Sequence, residues 1–68
     1  MSAKLNQRLK QLRKEKNVDQ KTVASAIGIT LAAYSNYEQG RREPSNEMLI
    51  KLSKYFEVTA GFLLGIEN

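Results

Sequence analysis

The sequence predicts an all-α, compact domain of five short helices, and three observations carry that expectation. Apolar residues recur three and four apart in separate stretches, which is helical periodicity; most stretches are bracketed by a capping residue and a glycine; and there is no strand-like alternation or internal repeat. At 68 residues the chain is expected to form one domain, residues 1–68, near the lower limit at which an unstapled chain can bury enough apolar surface to fold.

Leu5, Leu9 and Leu12 form one apolar stripe among Lys, Arg and Gln, predicting an amphipathic first helix from about Lys4 to Lys16, which Asn17 can end. Asp19 is a natural N-cap for a second helix, Gln20 to Ile27, with Val23, Ala24 and Ile27 inward. Gly28 stops it, because the left-handed conformation after a helix is least costly for glycine. Thr30 caps a third helix that carries Tyr34 and Tyr37 and ends at Gly40. Arg41-Arg42-Glu43-Pro44 reads as a loop, since proline disfavours helix in the residue before it. Ser45 caps a fourth helix bearing Met48, Leu49, Leu52, Tyr55 and Phe56, and Thr59 caps a short fifth ending at Gly65.

Composition narrows the function. With no cysteine and no histidine there is no disulfide, thiolate metal cage or imidazole proton shuttle, so no metal or cofactor is expected. Ser25, Ser35 and Ser45 lack a histidine to activate them, and no glycine-rich phosphate loop occurs; an enzyme is not expected. No run of about 18 apolar residues exists and no signal-peptide pattern opens the chain, so a cytoplasmic location without membrane contact is the expectation. The net charge of +4 is uneven: residues up to Lys21 net +5 and the remainder −1. A basic segment of this kind suits a polyanion, although a solvated lysine-rich face is the commoner explanation.

Spacing within helices two and three is more specific. Counting Gln20 as position one, alanine stands at five (Ala24) and glycine at nine (Gly28); Val23, Ile27, Ile29, Tyr34 and Tyr37 are apolar or aromatic at four, eight, ten, fifteen and eighteen. Two helices meeting at roughly 100° across a tight turn need a small residue where they touch, a glycine at the corner and inward residues on either side. This is the helix-turn-helix pattern. Tyr34 and Tyr37 are then core residues more readily than stacking platforms for bases. Gln20, in the first turn of helix two, is placed either to meet an anion or simply to be solvated.

Four segments in order, RLKQLRKEKN, DQKTVASAIGIT, YSNYEQGRREPS and LIKLSKYFEVTAGFLLG, resemble the lambda-repressor and Cro-like (XRE-type) family of helix-turn-helix DNA-binding proteins across nearly the whole chain. The resemblance implies a sequence-specific transcriptional regulator of double-stranded DNA, most simply a repressor. It would act as a homodimer on a two-fold operator with helix three in the major groove. It implies that Arg13 and Glu38 pair beneath the DNA backbone, and that Gln20 meets a phosphate. Leu31, Ala32, Ser35 and Asn36 become the base-reading candidates. Thr30, Lys21, Arg41, Arg42, Lys10 and Lys14 join Gln20 as phosphate-contacting candidates, the two arginines being suited also to a narrow minor groove. Asn36 can pair with adenine or bind a phosphate, whereas Leu31 and Ala32 lack hydrogen-bonding groups and suit the thymine methyl. Val58, Phe62 and Ile66 are candidates for the dimer interface or for core. The rival readings are a controller or antitoxin-like protein that mainly binds a partner protein, and a helical interaction module with no nucleic-acid role.

Overall fold

A computed structural model describes residues 5–66. They form α1 (Leu5–Lys16), α2 (Gln20–Ile27), α3 (Leu31–Gln39), α4 (Asn46–Phe56) and α5 (Ala60–Leu64), and no strand occurs among them. The helical starts follow from short-range chemistry. Asp19, Thr30, Ser45 and Thr59 are all extended, and each side-chain oxygen accepts the backbone N–H three residues on, from Thr22, Ala33, Met48 and Phe62 respectively. Lys4, where the first helix was expected to begin, lies outside the described residues.

The helical ends share one closure. A residue with positive φ follows each helix: Asn17, Gly28, Gly40, Glu57 and Gly65. The next residue then donates its N–H back to a carbonyl in the last turn: Val18 to Arg13, Ile29 to Ala24, Arg41 to Asn36, Val58 to Ser53 and Ile66 to Gly61, at 3.0 to 3.3 Å. This is the Schellman arrangement, which usually seats an apolar side chain just past the helix. Val18, Ile29 and Val58 do pack against the core. Arg41 is the exception in kind, an exposed cation where the motif favours an apolar residue. Ile66 is the exception in place, apolar but 77% exposed.

Every helix contributes to a single core of Leu9, Val23, Ala24, Ile27, Tyr34, Leu49, Leu52, Phe56 and Leu63. Helix α2 packs on α3 and α4, while α1 touches α3, α4 and α5. Ala24 is 2% exposed, as a position between crossing helices requires. Two contacts were not foreseen from the sequence. The Arg8 guanidinium stacks 4.3 Å over the Phe62 ring, joining α1 to α5, and Lys16 lies 5.2 Å over Tyr55. Among the described residues, no helix is long and apolar enough to cross a membrane.

Candidate nucleic-acid interface

The helix-turn-helix unit is held from behind by one polar network. Arg13 Nε donates to Glu38 Oε2 at 2.7 Å and Nη2 donates to Oε1 at 3.1 Å, a two-pronged pair between α1 and α3. Nη1 of the same guanidinium donates to the Val18 carbonyl at 3.2 Å, fastening the α1–α2 connection. Gln20 Nε2 donates to Glu38 Oε1 at 3.0 Å, which brings in the first turn of α2. One carboxylate thus fixes three elements at once.

Glu38 is the only buried charged residue of the described chain, its side chain 2% exposed against 15% for Arg13. Burial pushes its carboxyl up, but the bonds from Arg13 and Gln20 and the neighbouring Tyr34 hydroxyl outweigh this and hold it below the usual glutamate range. The Arg13 guanidinium is shifted up in turn, chiefly by its hydrogen bond to Glu38. Tyr34 is fully buried; burial first, and then the nearby carboxylate, push its phenol well above the usual tyrosine range. Its hydroxyl has no hydrogen bond of ordinary geometry. Asp19 is exposed and lies below the usual carboxylate range because the Thr22 hydroxyl and N–H both donate to it, at 2.7 and 2.8 Å.

In front of that network stands the outer face of α3. Leu31 is 47% exposed and Ala32 is exposed, while Ser35 and Asn36 are half-buried. Tyr34 points inward, and Tyr37 is half-buried against the core with its ring edge-on to Tyr34 at 6.4 Å between centroids. The backbone N–H groups of Arg41 and Arg42 both donate to the Asn36 carbonyl, at 3.0 and 3.4 Å, so the arginine loop is clamped to the end of α3. Asn36 and Arg42 then line one surface groove with Ala33, Tyr37, Glu43 and Ser45.

The remaining cations are less concentrated. Lys10 is turned about 60° around α1 from Arg13 and flanks the α3 side, whereas Lys14 is turned about 100° and faces further out; both share a shallow groove with Glu15. Lys21 lies on the outer face of α2, beside Thr22, Ser25 and Ala26. Gln20 spends one amide N–H on Glu38 and keeps the second. The Thr30 hydroxyl is exposed and accepts the Ala33 N–H. Of the pairing candidates, Val58 packs against the core and Phe62 lies half-buried beneath Arg8, which leaves Ile66 as the exposed one, two residues from the 49% exposed Leu64.

Two residues at this surface carry contacts that the sequence reading passed over. Gln39 Nε2 donates to Ser35 Oγ at 2.9 Å, and the Asn6 side chain stands where a Cβ on Gly40 would meet it at 3.4 Å. The first had a signal, since positions 35 and 39 are one turn apart on an exposed face. The second depends on how α1 and α3 cross, which no local pattern reports.

Comparison with known proteins places this geometry. A helix-turn-helix family model matches residues 9–63. The HTH-type transcriptional regulator YqaE of Bacillus subtilis is 41% identical over 63 residues, 93% of this chain and 54% of that protein. The P22 c2 repressor, solved in complex with a synthetic operator, superposes with a TM-score of 0.91 at 26% identity, covering 97% of this chain and 100% of that one. SinR, in its complex with SinI, gives a TM-score of 0.82 at 33% identity over 88% of this chain and 59% of that one. The chain spans about half the length of the curated relatives it matches. Those relatives are transcriptional regulators and not enzymes. The chain belongs to the lambda-repressor-like helix-turn-helix family of DNA-binding transcriptional regulators.

Proposed function

We propose that residues 1–68 act as one sequence-specific DNA-binding domain of a transcriptional repressor, which binds a two-fold operator as a homodimer with α3 in the major groove. The observation that carries this reading is the outer face of α3, with Leu31 and Ala32 exposed and Ser35 and Asn36 half-buried, and with Arg41 and Arg42 clamped to its end through the Asn36 carbonyl. Leu31, Ala32, Ser35 and Asn36 read base edges. Gln20 through its spare N–H, with Lys10, Lys14, Lys21, Thr30, Arg41 and Arg42, meets phosphates and sets the docking register. The rigid tie from Glu38 to Arg13 and Gln20 supports the phosphate contact at α2 and the reading helix as one body.

Leu31 and Ala32 present no hydrogen-bonding side chain, so thymine methyls are their best partners and a cytosine amine beside them is left unpaired. Pairing of two chains raises the affinity of so small a module, and the exposed Ile66 and Leu64, with the outer edges of Val58 and Phe62, are the surface for it. Selection of bound sites from random duplexes reports sequence, symmetry and spacing together. The expected result is an inverted repeat with half-site centres about one helical turn apart and thymine-bearing pairs where Leu31 lands. Replacing those thymines singly with uracil should weaken binding; equal binding would remove Leu31 as a methyl reader.

A second reading adds a partner protein, as for a controller or antitoxin-like protein. The same exposed Leu64 and Ile66 favour it, as does the likeness to SinR, solved with SinI. A concentration-dependent dimer formed by the purified chain alone favours the first reading; a monomer at all concentrations favours the second.

A further inference from the structure

The bond from Gln39 to Ser35 has a direction, and the direction has a consequence for what Ser35 can recognise. A serine hydroxyl offers one donor and two lone pairs. In a helix that donor commonly turns back to a carbonyl of the preceding turn, as Ser53 does here, donating to the Ile50 carbonyl at 2.7 Å. Ser35 differs: its Oγ accepts from Gln39 Nε2 at 2.9 Å, and its hydroxyl proton has no acceptor among the described residues. Accepting one hydrogen bond polarises the O–H and makes it a better donor to the next group. At 100° per residue, Ala32, Ser35, Asn36 and Gln39 fall within about 100° of one another on the outside of α3, opposite buried Tyr34. The Ser35 hydroxyl therefore keeps a proton that it can donate on the side that carries the reading face.

We infer that Gln39 is a positioning residue that fixes the hydrogen-bond polarity of Ser35, so that Ser35 reads a base by donating to an acceptor edge, guanine N7 or O6, adenine N7 or thymine O4, and disfavours cytosine, the one base that offers only a donor there. A cytosine amine facing Ser35 can use the second lone pair only by leaving the hydroxyl proton without a partner in a groove from which water has been displaced. This inference rests on the proposed placement of α3 in the major groove. It goes further by assigning a role to Gln39, which is not among the base-reading candidates, and by giving the sign of the preference at one position.

The polarity can be reversed without moving Ser35. A carboxylate only accepts, so in Gln39→Glu the Ser35 hydroxyl donates to Glu and leaves lone pairs outward, which suits the cytosine amine. The experiment selects bound sites from a random duplex pool with the wild-type chain, Gln39→Glu and Ser35→Ala; thermal melts check that each variant keeps its fold. The wild type should enrich a base with an acceptor edge, guanine, adenine or thymine, over cytosine at one base position by roughly 3- to 10-fold, the scale of one hydrogen bond. Ser35→Ala should flatten that position alone, and Gln39→Glu should shift it towards cytosine even as added negative charge lowers affinity for every sequence. Three results would overturn the inference: a Gln39→Glu preference unchanged from wild type, a Ser35→Ala loss equal for all sequences, as for a phosphate contact, or cytosine preferred by the wild type. If the wild type enriches no site at all, the groove placement fails with it, and that outcome is distinct from the other three.

Discussion

Glu38 is the residue on which the reading surface depends most, because a carboxylate with 2% of its side chain exposed stays charged only while its partners stay in place. Truncation to alanine would leave the Arg13 guanidinium and the Gln20 amide without their acceptor. Breaking a buried pair from one side costs about 3 to 5 kcal/mol, and partial exposure of Arg13 puts the expected loss at the lower end, about 3 kcal/mol, by urea denaturation. An unchanged midpoint would deny the network any role in stability. The pH dependence follows from the direction of the shift. Because the folded-state carboxyl lies below its usual value, the stabilisation is complete above the ordinary glutamate range and is lost as pH falls through the lowered folded value. The gap between wild type and Glu38→Gln should therefore be widest at neutral pH and close in acid. Sequence reasoning anticipated the Arg13–Glu38 contact only through family resemblance, and it placed Gln20 at a phosphate without its bond to Glu38. Residues 13, 20 and 38 lie on three helices, so their meeting is a property of packing that spacing along the chain does not encode.

At the scale of the helix, starts and stops were legible because their causes are local. Asp19, Thr30, Ser45 and Thr59 cap through a bond reaching only three residues, and Gly28, Gly40 and Gly65 announce the left-handed residue that follows three of the helices. The end of α4 was not legible, because the residue that takes φ 57° there is Glu57. Left-handed backbone costs a residue with a Cβ roughly 1 to 2 kcal/mol, part of which glycine returns through its freer unfolded chain. Glu57→Gly should accordingly gain about 0.5 to 1 kcal/mol. In a domain of this size that is a rise of a few degrees in Tm, about 4 °C or somewhat more at the upper end. Asn17→Gly should gain less, since asparagine tolerates this region. The converse test is Gly28→Ala. A Cβ at Gly28 would meet nothing within 4 Å, so the whole loss is conformational, about 0.5 to 1 kcal/mol once the same unfolded-chain entropy is set against the left-handed cost. A Gly28→Ala chain as stable as wild type would mean that the turn between α2 and α3 relaxes to negative φ, and the angle of the helix-turn-helix would change with it.

For the whole molecule the question is how many phosphates a bound unit neutralises, and symmetry makes that number diagnostic. Basic residues dominate up to Lys21, and Arg41 and Arg42 add a second basic segment at the end of α3, with Glu38 buried in an ion pair between the two. Arg41 is the most informative of these residues. Its backbone N–H closes α3, its side chain is exposed, and the motif it completes would favour an apolar residue in its place. Removing the side chain therefore leaves the backbone closure intact and takes away one charge per chain. Each neutralised phosphate contributes about −0.9 to the slope of log affinity against log salt, so a dimer whose Lys10, Lys14, Lys21, Arg41 and Arg42 engage about ten phosphates should lose roughly 100,000-fold in affinity between about 50 and 200 mM salt. Arg41→Ala should then make the slope shallower by about 1.8 if two chains bind together and by about 0.9 if one chain binds alone. Titrating one selected duplex with wild type and Arg41→Ala across that salt range measures both quantities. A flat wild-type slope would count against DNA as the partner. A change near 0.9 would keep the DNA contact and remove the dimer, and an unchanged slope with unchanged fold would place Arg41 away from the backbone altogether.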